Sequence, residues 1–244
     1  MKDDFLRKAH EKYVTTAYGK VNSPAPKALE YWCKSYHSIY SRRIPAKKDI
    51  AILDIGCGMG QLLHYLQTEG YTNLTGIDIS PEQIELCKQI LPQPRPRLVA
   101  IDAFTFLPKS SSAYDLIFMN DVIEHIPLEN LCNFLSLCGR ALKPDGKIII
   151  RTNDMSNPLN LRSRYQTITH LIGFTEESMS ELLEINNYRV EAIIHEYPYL
   201  PGKVGVLRTS MTKALSAVLN LLLKGLGLPK ARLSYSLIVI AAKA

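Results

Sequence analysis

From residue 50 onward the chain alternates short apolar runs with longer amphipathic stretches, and this alternation limits the fold more than any other feature. The runs lie at 50–55, 73–77, 97–101, 114–119 and 147–151, with helices expected between them at 59–69, 81–91 and 127–142. Buried strands separated by crossover helices form a parallel sheet, so the fold class is α/β. Ser80-Pro81-Glu82 supplies a cap and a first-turn proline for one helix. Lys143-Pro144-Asp145-Gly146 reads as a turn leading into a strand. A further helix is expected from Thr175-Glu176-Glu177-Ser178, and further strands at 189–195 and 234–241, with residues 200–232 as an insertion between them. Residues 1–47 read as a helical cap of two helices broken at Asn22-Ser23-Pro24-Ala25-Pro26, Ser23 starting the second. Residues 48–244 form the main domain.

At 244 residues, 46% apolar and 21% charged, the chain can bury a full core without staples. Its five cysteines form no CxxC pair and have no histidine at zinc spacing, which fits reduced thiols and a cytoplasmic protein. Met1-Lys2-Asp3-Asp4-Phe5 does not open a signal peptide, and no unbroken run of 18 apolar residues predicts a membrane span. The net charge of +6 is local. No Asp or Glu follows Glu196, whereas Lys203, Arg208, Lys213, Lys224, Lys230, Arg232 and Lys243 do. The rest of the chain is near neutral. A basic excess confined to one apolar segment without stacking aromatics argues against nucleic acid as the partner.

The loop after the first run is Asp54-Ile55-Gly56-Cys57-Gly58-Met59-Gly60-Gln61. Glycines there permit a tight turn and a close backbone approach to a ligand. Gln61 stands where a dinucleotide loop needs glycine, and no Lys-Ser/Thr follows as in a phosphate loop. Asp54 puts a negative charge at the strand end, which suits a ligand with a cationic amino-acid end. The second run ends in Asp78-Ile79-Ser80, where an acid can accept both hydroxyls of a ribose. The third ends in Asp102-Ala103, within reach of an adenine amino group, and the fourth in Asn120-Asp121. All these ends fall on the carboxyl edge of the sheet, the usual ligand crevice.

As a set, Asp54-x-Gly56-x-Gly58-x-Gly60, Gly76-Ile77-Asp78-Ile79-Ser80, Asp102-Ala103, Asp121-Val122-Ile123-Glu124-His125 and Leu142-Lys143-Pro144-Asp145-Gly146 resemble class I S-adenosylmethionine-dependent methyltransferases over about residues 50–195. The resemblance implies a Rossmann-like sheet of seven strands, the last antiparallel, with S-adenosylmethionine as cofactor. Gly56, Gly58 and Gly60 would pass the methionine part and Asp54 would help hold it. Asp78 with Ile79 would bind the ribose. Asp102 with Ala103 would face the adenine, and Asn120 and Asp121 would lie near it. A narrower stretch, Tyr165-x-x-x-Thr169-His170-x-x-x-Phe174-Thr175 together with Lys48-Asp49-Ile50-Ala51-Ile52-Leu53, is similar to bacterial methyltransferases of glycan and lipopolysaccharide biosynthesis.

The expected reaction is O-methylation of a glycan or related small molecule, with a quinone-type acceptor or a non-catalytic binding module as alternatives. A hydroxyl nucleophile needs a base; His170 is the first candidate and His125 the second. No metal ligands are assigned, Asn153-Asp154 being the one weak place for them. Residues 206–228 predict an amphipathic helix. Thr209, Lys213, Ser216, Asn220 and Lys224 share one face, and Leu207, Met211, Leu215, Val218 and Leu222 another. Such a helix fits docking on the inner membrane surface near a lipid-linked acceptor; packing on the domain or a homodimer contact are the alternatives.

Overall fold

A computed structural model describes residues 26–197 and 202–244. The proposed first helix and Ser23 lie outside them. The described chain runs α1 (Pro26–Tyr40), β1 (Ile52–Ile55), α2 (Gln61–Thr68), β2 (Leu74–Asp78), α3 (Pro81–Ile90), β3 (Arg97–Ala100), α4 (Ala103–Phe106), β4 (Tyr114–Asn120), α5 (Leu131–Ala141), β5 (Leu142–Asn153), α6 (Leu161–Arg164), α7 (Glu176–Ile185), β6 (Tyr188–Glu196), α8 (Gly202–Gly225) and β7 (Ser236–Lys243). The strands form one sheet in the order β3-β2-β1-β4-β5-β7-β6. Only β7 is antiparallel to its neighbours. This is the seven-stranded Rossmann-like sheet that the resemblance implies.

Strand side chains alternate between two apolar layers, as period 2 requires. Leu53, Ile55, Ile148, Ile150, Leu237 and Val239 face α5 and α7, where Phe134, Leu135, Met179 and Leu183 are fully buried. Ile52, Ile149, Ile238 and Ile240 face α1, α2 and α3, meeting Tyr40, Leu63, Leu66 and Cys87. Both faces are covered, so the strands read as near-continuous apolar runs instead of alternating ones. Each such side chain contributes about 1.5–3 kcal/mol by leaving water.

One expected turn is absorbed into a strand. Lys143-Pro144-Asp145-Gly146 lies within β5, because Leu142 pairs with Tyr114 and Lys147 with Leu116. The intervening residues oppose Asp115 alone and bulge outward. Asp115 anchors the bulge: its Oδ2 accepts from Lys143 Nζ at 2.7 Å and from the Ala51 amide at 2.7 Å.

The strand order reverses between β1 and β4, which opens a crevice at their carboxyl ends. The end of β6 and the start of β7 reach that same edge, since Ser236 pairs with both Asn153 and Glu196.

Candidate active site

At the crevice lies a cavity of about 630 Å³, in the range that encloses a drug-sized ligand. Its floor is the loop between β1 and α2. Gly56 has φ +71°, and a Cβ there would lie 2.5 Å from Val122 Cγ2, so only glycine fits. The Gly58 amide donates to Asp78 Oδ2 at 3.0 Å and the Ser80 amide to Asp78 Oδ1 at 2.8 Å. Asp78 is thereby fixed at the end of β2, while Ser80 caps α3 by accepting from the Gln83 amide. Burial raises the Asp78 carboxyl above its ordinary value against the pull of those two amides. Asp54, 2% exposed, is raised further, by burial and then by the charge of Asp78. Two acids pressed together out of water create a demand for a cation.

Asp102 lines the cavity and also caps α4, its Oδ1 accepting from the Phe104 amide at 2.7 Å. Asn120 Oδ1 accepts from the Tyr40 hydroxyl at 3.0 Å, and its amide nitrogen is buried with no partner. From α1, Trp32 and Tyr36 form part of the wall; the rings of Trp32, Tyr36 and Tyr40 stack at 5.6 and 5.8 Å. Arg151 of β5, 6% exposed, donates from Nε to Glu196 Oε2 at 2.8 Å and from Nη1 to the Asp121 carboxylate.

The opposite wall holds two histidines with rings 4.8 Å apart, edge to face. His125 Nδ1 lies 3.0 Å from the Thr169 carbonyl and His170 Nδ1 2.8 Å from the Ser163 carbonyl. A carbonyl only accepts, so each Nδ1 carries a proton, and it is the neutral form of such a ring that holds a lone pair on Nε2. Burial holds His170 below the ordinary histidine range, so it is neutral near pH 7. Beneath them Glu124 is 2% exposed, and neither of its carboxylate oxygens has a hydrogen-bond partner. Burial, then the charge of Asp121, pushes its pKa up to about 8. One ligand atom each from Glu124, His125 and His170 lie within 4.8 Å of one another, a set able to hold a divalent cation.

The methyltransferase-domain family matches residues 27–193, more than half of the chain. The chain belongs to that family. A sterol 4-C-methyltransferase of Caenorhabditis elegans is 30% identical over 151 residues, 59% of this chain and 43% of that protein. A ubiquinone biosynthesis O-methyltransferase of Rickettsia akari is 27% identical over 135 residues, 55% and 51% of the two chains. This chain therefore spans about half the length of these curated relatives. Among solved structures, an S-adenosylmethionine-dependent methyltransferase from Archaeoglobus fulgidus superposes with a TM-score of 0.65 at 24% identity, over 86% of this chain and 94% of that one.

In this methyltransferase domain the cavity gathers Asp54, Gly56, Gly58, Asp78, Ile79, Asp102, Ala103, Asn120, Asp121, His125 and His170. Gly60 is the exception. It does not line the cavity; it begins α2 with φ +86°, and a Cβ there would meet Cys87 Sγ at 2.5 Å. Its glycine is needed for packing. Asn153 lines the cavity, but Asp154 is buried away from it, bonded to His195 at 2.8 Å and to Ser234. Among the described residues the metal-capable group is thus not Asn153-Asp154 but one centred on Glu124, to which the sequence pattern assigned no role. His37 of α1 stays outside the cavity and bonds Glu69 at 2.9 Å on an exposed face.

Proposed function

We propose that this chain transfers a methyl group from S-adenosylmethionine to a hydroxyl oxygen of an acceptor carried by a lipid. The observation that supports it is the pairing, in one cavity, of the raised acids Asp54 and Asp78 with two histidines whose Nδ1 atoms face backbone carbonyls, His170 being the neutral one. Asp54 would meet the cofactor's ammonium, Asp78 would accept from its ribose hydroxyls, and Asp102 would accept from its adenine amino group. The sulfonium already activates the methyl carbon, so the protein's work is to align the acceptor oxygen with the carbon–sulfur bond and to take its proton. His170 Nε2 would accept the hydroxyl proton as the oxygen took the methyl carbon from sulfur, with S-adenosylhomocysteine as the leaving group. His125 is the second candidate base. The sterol and ubiquinone in the relatives' names are lipid-soluble; the narrower resemblance adds a sugar on a lipid carrier.

Calorimetry with S-adenosylmethionine should show one site per chain. With an acceptor in hand, His170→Ala should lower turnover on the order of 10²-fold and leave cofactor affinity unchanged. Full turnover in a folded variant refutes the role of His170, and tight cofactor binding with no turnover on any hydroxyl acceptor would make the chain a binding module.

The unpartnered Glu124 carboxylate favours a second reading, in which Glu124, His125 and His170 hold a divalent cation that orients the acceptor oxygen and makes its hydroxyl more acidic. Chelation followed by add-back separates the two. Turnover that survives chelation supports His170 as base, and turnover restored only by a divalent cation supports the metal.

A further inference from the structure

The segment between β6 and β7 leaves and re-enters the sheet at the carboxyl edge, and Tyr235, just before β7, lines the cavity. Its main feature is α8, 24 residues and about 36 Å long. Among its residues only Gly205 and Ser216 are buried. These two share one face with the half-buried Thr209, Thr212 and Asn220. Asn220 fastens that face to the returning loop, donating to the Ala231 carbonyl and accepting from the Ala231 amide, each at 2.8 Å. The Thr, Ser and Asn side chains of this stripe therefore turn inward, flanked by the half-buried Leu219 and Leu223. Val204, Leu207, Met211, Leu215, Val218 and Leu222 recur every three or four residues on the outside, and each is more than half exposed. An apolar face packed on the domain, one expectation from the sequence, is not what forms.

Such a face needs an occupant, and the surrounding charge selects it. Lys203, Arg208, Lys213, Lys224 and Lys230 are all exposed, and residues 197–244 contain no acid. A second copy laid on this face would bring cations against cations with no counter-charge. An anionic lipid surface supplies the counter-charge along with an apolar layer. The helix is long and apolar enough to cross a bilayer, contrary to the sequence expectation. However, Lys213 sits at its midpoint, where a charge is expensive in hydrocarbon, and its polar face is tied to the protein. We propose that α8 lies flat on an anionic membrane, apolar face inserted among the headgroups, and holds the cavity mouth against the lipid. This docking stands apart from the methyl-transfer reading, and its test needs no turnover.

The full chain should co-sediment at low salt with vesicles of phosphatidylglycerol and phosphatidylcholine, bind phosphatidylcholine alone far less, and be released as salt rises. Met211→Glu, Leu215→Glu and Val218→Glu together should cut partitioning on the order of 10-fold or more, with cofactor affinity and far-UV circular dichroism unchanged. Because these side chains are exposed, their replacement leaves the core alone. No binding to the anionic vesicles, or equal binding to both kinds, overturns the proposal. So does a stable dimer by light scattering that the triple variant splits, which would make the face a contact between copies.

Discussion

Glu124→Gln tests the electrostatics of the histidine wall directly. Unfolded, Glu124 releases its proton near 4.5; folded, it does so only at about 8. Between these values the folded state keeps a proton that the unfolded state has lost, so stability is full below the lower value and falls as pH rises through the upper one. Each pH unit in that window removes about 1.4 kcal/mol, or about 3 kcal/mol between about pH 5 and about pH 7.5. Solvent does not discount this, because the group is 2% exposed. Glutamine keeps the shape and removes the titration. Relative to the parent, the variant should therefore gain about 3 kcal/mol over that interval, which shifts Tm by about 2–4 °C per kcal/mol for a chain of this size. Urea unfolding at several pH values, with chelator present and cofactor absent, measures the difference. Asp54 and Asp78 also titrate upward, but they act in both proteins and cancel. Parallel stability curves for parent and variant would refute the reasoning and mean that Glu124 is ionised and paired in the folded protein.

Raised acids at the cofactor end predict that S-adenosylmethionine binds more weakly as pH falls, because a proton on Asp54 competes with the ammonium; calorimetry giving equal affinity at about pH 5 and about pH 8 would remove Asp54 from that role. Asp78→Ala should weaken binding by about 1–3 kcal/mol by leaving the ribose hydroxyls unanswered, and an unchanged dissociation constant refutes the ribose contact. Gly60→Ala should destabilise by about 2–4 kcal/mol, from its left-handed backbone and the contact with Cys87; a loss below about 1 kcal/mol in urea would show that the loop can shift. His195 bridges Asp154 at 2.8 Å and Glu176 at 3.0 Å, so His195→Leu should cost about 3 kcal/mol by stranding the buried Asp154 carboxylate, and wild-type stability would show that Ser234 and the Ser156 amide suffice.

The sheet was legible because β1, β2 and β3 are short apolar runs ended by glycine or aspartate, and β4 one ended by Asn120-Asp121, signals that act within a few residues. The same locality exposed Asp54, Asp78 and Asp102, which lie at strand ends and converge once the strands are parallel. Residues that act across the fold were not legible. Glu124 sits beside His125 in sequence, but its isolation depends on burial beneath β5. Arg151 reads as a strand terminus until Glu196 of β6 and Asp121 after β4 are brought to it. Gly60 looked like Gly56 and Gly58 because spacing does not say which glycine meets Cys87. In α8 the period separated two faces only in part, since Lys213 and Lys224 of the polar one are exposed and Leu219 and Leu223 of the apolar one are half-buried, and periodicity cannot say which face turns inward. That was settled by Asn220 and its bonds to Ala231, eleven residues further on. The turn at 143–146 was misplaced because its proline and glycine also suit a bulge, and Asp115 is the partner that fixes it.

The aromatic column on α1 has a practical side. The protein contains one tryptophan, Trp32, which lines the cavity and stacks on Tyr36 at 5.6 Å. All indole emission therefore comes from one position on the cavity wall. A ligand that displaces water from this ring should change the colour or intensity of that emission, and tyrosine light gathered by the column should follow. The protein thus carries its own optical gauge of occupancy, so acceptors can be screened by titration in a fluorimeter before any product can be assayed.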